Sequence, residues 1–100
     1  MKKQNLRSWI RHSNSLSLFL PDGPYGRPFD NQYFFQDLAE QETETILTLS
    51  DGISLKFSGS IETSIEGNKL FIRGFDRFDF ILDNKIDRTF YDGVVCLYRF

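Results

Sequence analysis

From residue 44 onward, apolar and polar positions alternate with a period of two, broken at short intervals by turn residues, as in an antiparallel β meander. Ile46-Leu47-Thr48-Leu49 is followed by Ser50-Asp51-Gly52 and then by Ile53-Ser54-Leu55-Lys56-Phe57. A two-residue Asp51-Gly52 turn would set Leu47 opposite Lys56 and Leu49 opposite Ser54. A three-residue loop, a type I turn with Gly52 left-handed in a G1 bulge, sets Leu47 opposite Leu55 and Leu49 opposite Ile53. The second register gathers Leu47, Leu49, Ile53, Leu55 and Phe57 on one face. It is the expected one, because a slip of one residue would turn that whole face to water.

The next pair repeats the logic. Ile61, Thr63 and Ile65 alternate with Glu62, Ser64 and Glu66 ahead of a Gly67-Asn68 turn, which sets Ile65 opposite Leu70 and Thr63 opposite Ile72. Gly74 ends that strand. Phe78, Phe80 and Leu82 then alternate with Arg77, Asp79 and Ile81 up to a turn at Asp83-Asn84-Lys85. The last segment, 94–100, is apolar on both faces apart from Arg99, which predicts a central or doubly covered strand. Removing a few residues from that end is therefore expected to damage folding.

Residues 1–43 are patterned less clearly. Trp9-Ile10 and 15–20 read as strand material, with Leu16, Leu18 and Leu20 on one face, and 1–14 is expected to be a partly irregular basic segment. Residues 21–31 hold all three prolines and two of the seven glycines, a density of breakers that predicts no regular element. Residues 32–41 are ambiguous. Asp30 or Asn31 would cap a short helix with Leu38-Ala39 inside, whereas Tyr33-Phe34-Phe35 favours a strand. The expectation is a single all-β domain over 1–100: a small antiparallel sandwich or partly open barrel of seven to eight strands, with one short helix near 32–41 as the alternative to a strand there.

Composition supports this picture. Hydrophobic residues are 40% and charged residues 26%, ordinary for a globular domain, but 16% are aromatic, including eleven Phe. Aromatic rings favour strands and bury large areas, so a thin sheet protein can build a core from them. Helix-forming Ala and Met occur only as Ala39 and Met1. The formal charge of −2 implies no general attraction to nucleic acid or anionic membrane. Residues 1–11 carry Lys2, Lys3, Arg7 and Arg11 without an acid, and 37–44 carry Asp37, Glu40, Glu42 and Glu44 without a base. These runs read as solvated segments, or as two segments that meet within the chain or across a dimer. With Cys96 the one cysteine, no internal disulfide forms. No hydrophobic run approaches membrane-spanning length, and the basic start is too interrupted for a signal peptide, so the expected location is cytoplasmic.

The most unusual stretch is Leu20-Pro21-Asp22-Gly23-Pro24-Tyr25-Gly26-Arg27-Pro28-Phe29-Asp30-Asn31. It resembles a Leu-Pro-x-Gly-aromatic-aromatic-Gly-Arg-Pro-aromatic-Asp-Asn segment of small bacterial proteins of unassigned function, departing from it at Pro24. The resemblance implies a shared fold and no activity. Physically, glycines and prolines stiffen a tight loop, Tyr25 and Phe29 can fold back over the sheet, and Arg27 has Asp22 and Asp30 as nearby acceptors. Either Arg27 clasps an Ω-like loop over one end of the core, or the loop presents a ligand or partner site made of Asp22, Tyr25, Arg27, Asp30 and Asn31.

Nothing specifies catalysis. His12 lies among serines with no orienting carboxylate in local sequence, and Cys96, in step with Val94 and Tyr98, is expected in the core. Asp76, Asp79, Asp83, Asp87 and Asp92 match no calcium loop. No metal, cofactor or enzymatic activity is therefore expected. Phe71-Ile72-Arg73-Gly74-Phe75 has the flavour of an RNA-contacting strand, and Ile72-Arg73-Gly74 resembles the second motif of Sm-like proteins. The first Sm motif is missing, and no basic stripe accompanies the second. The leading expectation is a non-enzymatic interaction or structural module that pairs with a protein partner or with itself. A small-molecule-binding β barrel with the Arg27 loop as lid, and an RNA-binding small barrel, are the alternatives.

Overall fold

The computed structural model describes residues 2–12, 15–25 and 32–99, with the backbone alone for 2–5. Its strands are β1 (Leu16–Leu20), β2 (Gly23–Pro24), β3 (Phe35–Glu40), β4 (Glu44–Leu49), β5 (Ile53–Ser58), β6 (Glu62–Glu66), β7 (Lys69–Arg73), β8 (Arg77–Leu82), β9 (Lys85–Phe90) and β10 (Val95–Arg99). They form two antiparallel sheets, one ordered β2-β1-β10-β7-β6 and the other β3-β4-β5-β8-β9. The sheets make a sandwich and are not closed into a barrel. The described residues hold ten strands rather than seven or eight, because β2 is a two-residue edge and β9 follows β8 directly.

The registers come from apolar matching. Leu47 faces Leu55 across β4 and β5, as a three-residue loop requires. The turn itself differs from expectation. Asp51 and Gly52 both have left-handed φ (63° and 76°), so the bend is not a type I turn. A side chain at Gly52 would also run into the Asp83 carboxylate of the neighbouring turn. Gly67-Asn68 makes the expected two-residue turn, with Ile65 facing Leu70 and Thr63 facing Ile72. The following turn is Asp83-Asn84, both left-handed, and Lys85 already pairs with Leu82 in β9 instead of belonging to the turn.

Inner faces meet in an apolar core. The first sheet contributes Leu16, Leu18, Leu70, Ile72, Val95 and Leu97, all with no exposed surface. The second contributes Leu47, Leu49, Leu55, Phe57, Phe78 and Phe80 on the same terms. Phe57 stacks on Phe78 at 4.8 Å and 13°, so aromatic area fills the thin layer as composition implied. β10 lies between β1 and β7, the central position its two apolar faces predicted.

Two expectations in the first forty residues are corrected. Residues 2–11, expected to be partly irregular with Trp9-Ile10 as strand, form helix α1 (Lys2–Arg11). Leu6, Trp9 and Ile10 recur at i, i+3 and i+4, the helical spacing, and all three are buried where α1 packs on β6 and β3. Lys, Gln, Leu and Arg are helix-forming residues, and no Gly, Pro or turn signal interrupts them before residue 11. The breaker-rich segment is not wholly irregular either, since Gly23 and Pro24 pair with Leu20 and Phe19. Pro24 is tolerated because β2 is an edge. The ambiguous 32–41 segment resolves as strand β3, with a register shift between Phe35 and Asp37. The basic and acidic segments do meet, through Arg7 Nε donating to Glu40 Oε1 at 2.9 Å.

Candidate functional site

Of the residues proposed from sequence for the 20–31 loop, Arg27, Asp30 and Asn31 lie outside the described residues. The other two are absorbed by the fold. Tyr25 N–H donates to Leu18 O, and the Tyr25 ring packs 4.7 Å from Phe80 and 6.1 Å from Tyr33, filling the end of the core between the sheets. Asp22 accepts from Arg88 of β9 at 3.2 Å, tying the β1–β2 turn to the edge of the other sheet. Both partners are half exposed, so the clasp contributes about 0–1 kcal/mol. Burial pushes the Tyr33 hydroxyl pKa up, aided by Tyr25 and Asp51. Tyr25 thus seals the core at this end.

The outer faces of the two sheets offer more. On the second sheet, cross-strand neighbours Ile46, Lys56, Asp79 and Thr89 form one row. Asp79 is only 3% exposed although it faces outward. It accepts from Arg77 Nε at 2.9 Å and Thr89 Oγ1 at 2.7 Å, while Lys56 reaches Glu44 at 3.5 Å. The same contact raises the Arg77 pKa. Charge on this face is thus met within the face.

On the first sheet the register sets Phe19 beside Cys96 and Cys96 beside Phe71, with Ser64 completing the row. Phe19, Cys96 and Phe71, with Lys69 and Tyr98, line an apolar depression of about 330 Å³. Cys96 is therefore half-buried on the outer face and not in the core, because Val95 and Leu97 take the inner positions of β10. Burial raises its thiol pKa and Lys69 offsets part of the rise, so the thiol stays protonated at neutral pH. Lys69 lies 5.8 Å over Tyr98, and Arg73 lies 6.0 Å over Phe71. The neighbouring strand sets Glu66 opposite Lys69 and Glu62 opposite Arg73. A basic column on β7 thus runs beside an acidic column on β6, both bordering the aromatic row. The sequence carried a signal for this face: the apolarity of 94–100 on both sides marks β10 as central and also supplies its outer surface.

A smaller depression, about 280 Å³, lies at the C-terminal end of α1 between Ser8, Trp9, His12, Ile65 and Arg99. Here Arg99 stacks on the Trp9 ring at 4.9 Å and donates to Trp9 O at 3.3 Å, and His12 Nδ1 lies 2.7 Å from Ser8 O. Both contacts satisfy carbonyls of the last helical turn. Among the described residues no three His, Cys, Asp or Glu side chains converge as a metal ion would require, and no helix is long and apolar enough to cross a membrane. No protein-family model, curated protein or solved structure matches this chain.

Proposed function

We propose that this chain is a non-enzymatic interaction module that pairs with a second copy of itself through the aromatic outer face of the first sheet. The observation that carries this reading is the charge pattern around Phe19, Cys96 and Phe71. Lys69 and Arg73 stand in one column, Glu66 and Glu62 in the next. A two-fold axis parallel to the strands and midway between β6 and β7 sets each basic column over the acidic column of the other copy and Phe71 over its Ser64, which is the self-complementarity an isologous interface needs. The second sheet supports the contrast, since its outward carboxylate is already engaged by Arg77 and Thr89.

Phe71 and Tyr98 beside two cations would also suit stacked nucleotide bases. Glu62 and Glu66 oppose those cations and leave no net positive groove for a phosphate backbone, so a protein surface is the better match.

Sedimentation velocity from low to high micromolar concentration tests the reading. A concentration-dependent dimer is expected. Phe71→Ser should weaken association about tenfold or more, whereas Ile81→Ser on the other outer face should leave it unchanged. A strict monomer overturns self-association, and salt-sensitive binding of an oligouridine to the same face would transfer the site to RNA.

A further inference from the structure

We propose that the depression at the end of α1 is a receptor for an apolar monocarboxylate, held by Arg99 against the Trp9 and Ile65 walls. This site lies apart from the aromatic face and does not depend on its role.

The polar side chains around the depression are rich in donors. Arg99 has five N–H donors in a planar fork and commits one to Trp9 O. It is paired with no carboxylate among the described residues. Its stacking on the indole fixes the guanidinium plane, so the remaining edge is preorganised for a two-oxygen acceptor. Ser8 O can only accept, so His12 Nδ1 carries the proton in their contact. His12 is exposed, as a residue at the mouth of a binding depression would be. Among the described residues, no carboxylate side chain lines the space.

The remaining walls decide which anion. Ile65 is 40% exposed, an apolar surface that an aliphatic or aromatic group would cover. The last carbonyls of α1 give this end of the helix negative character, which His12 and Arg99 offset only in part. That field opposes any anion in proportion to its charge, so a compact dianion such as phosphate meets it twice over. A single-charged carboxylate meets less of it, matches the fork and carries an apolar group for the Ile65 wall. A volume of about 280 Å³ fits a small acid or the terminal residue of a peptide. The shared chemistry is a carboxylate attached to a ring or branched chain.

Trp9 is the sole tryptophan, so its fluorescence reads this depression directly. Titration of the full chain with benzoate and with N-acetylphenylalanine is expected to give saturable changes. Tighter benzoate indicates a free small acid, and tighter N-acetylphenylalanine indicates a peptide C-terminus. Benzamide and N-acetylphenylalanine amide, which keep the shape and lose the charge, should bind at least about tenfold more weakly. Arg99→Gln should remove the response, and Arg99→Lys should restore only part of it because an ammonium lacks the fork. If these variants fail to fold, the acid–amide pairs on the unmodified chain still decide. Equal response to acid and amide, no saturable response to either acid, or phosphate binding as tightly as benzoate would each overturn the proposal.

Discussion

The two sheets share one core but are assembled differently and finished differently on the outside. The second sheet grows mostly by hairpins: β3 to β4, β4 to β5 and β8 to β9 are chain neighbours, and only β5 to β8 skips. The first sheet is centred on β1 pairing with β10, strands from opposite ends of the chain. Its closure requires a long loop to be ordered first, a cost that local hairpins avoid. The outer faces differ in the same sense. That of the second sheet closes its own polar network around Asp79, while that of the first carries Phe19, Phe71 and Cys96 between unlike charges. A sheet whose outer face is internally satisfied serves the fold, and one whose face pairs aromatic area with charge columns is equipped to meet another surface.

The largest test of this contrast is deletion of residues 95–100. It removes the strand between β1 and β7, both its ladders, and the fully buried Val95 and Leu97. Each of those side chains contributes about 1.5–3 kcal/mol by burial. With total stability on the order of 5–15 kcal/mol, loss of cooperative unfolding is expected. Thermal circular dichroism would check it. A cooperative melt would mean that the hairpin-built sheet stands without the first.

A smaller effect separates the outer faces. Asp79→Ala takes the acceptor from Arg77 and Thr89 and is expected to cost about 1–3 kcal/mol in urea unfolding. Asp79→Asn should fall between, keeping an acceptor for Thr89 and losing the charge that faces Arg77. Phe71→Ser on the opposite face should cost the isolated chain less than Asp79→Ala. If it costs more, the aromatic face is serving the fold and the contrast fails.

The parts of this architecture that sequence makes legible are those dictated by local chemistry. The Leu47–Leu55 and Ile65–Leu70 registers follow from keeping apolar residues on one face, and the centrality of β10 follows from its two apolar faces. The type of the Asp51-Gly52 turn does not, because Asp tolerates the left-handed region and the flanking register is the same for either bend. α1 was readable from Leu6, Trp9 and Ile10. Strand propensity at Trp9-Ile10 hid it, and the basic run suggested a solvated segment. The meeting of Arg7 with Glu40 depends on a helix docking across β3, which no local pattern encodes. The outer aromatic face was hidden for a similar reason. Alternation groups Cys96 with Tyr98 and Val94, but only the packing of Val95 and Leu97 against the other sheet says which group faces out. Of the described part of the loop after β1, Tyr25 as a plug was legible from its sequence, and the link from Asp22 to Arg88 required the tertiary fold.

The smallest expected effect lies on the inner face of the second sheet, which is otherwise apolar along β4. Thr45 is 1% exposed there, opposite Phe57, and its Oγ1 is buried without a hydrogen-bond partner. A buried hydroxyl without a partner carries a desolvation cost that an apolar group of the same shape does not. Val replaces the hydroxyl with a methyl group, retains the β-branching that suits a strand, and adds apolar area facing Phe57. Thr45→Val is therefore expected to stabilise the chain by about 1 kcal/mol, read as a higher urea midpoint at unchanged slope. Because the change lies on the inner face of the sheet whose outer face is self-contained, it should leave sedimentation and the Trp9 response to benzoate where they were. Destabilisation would mean that the hydroxyl has a partner when the chain is in solution and that the polar network of this sheet reaches through to its inner side.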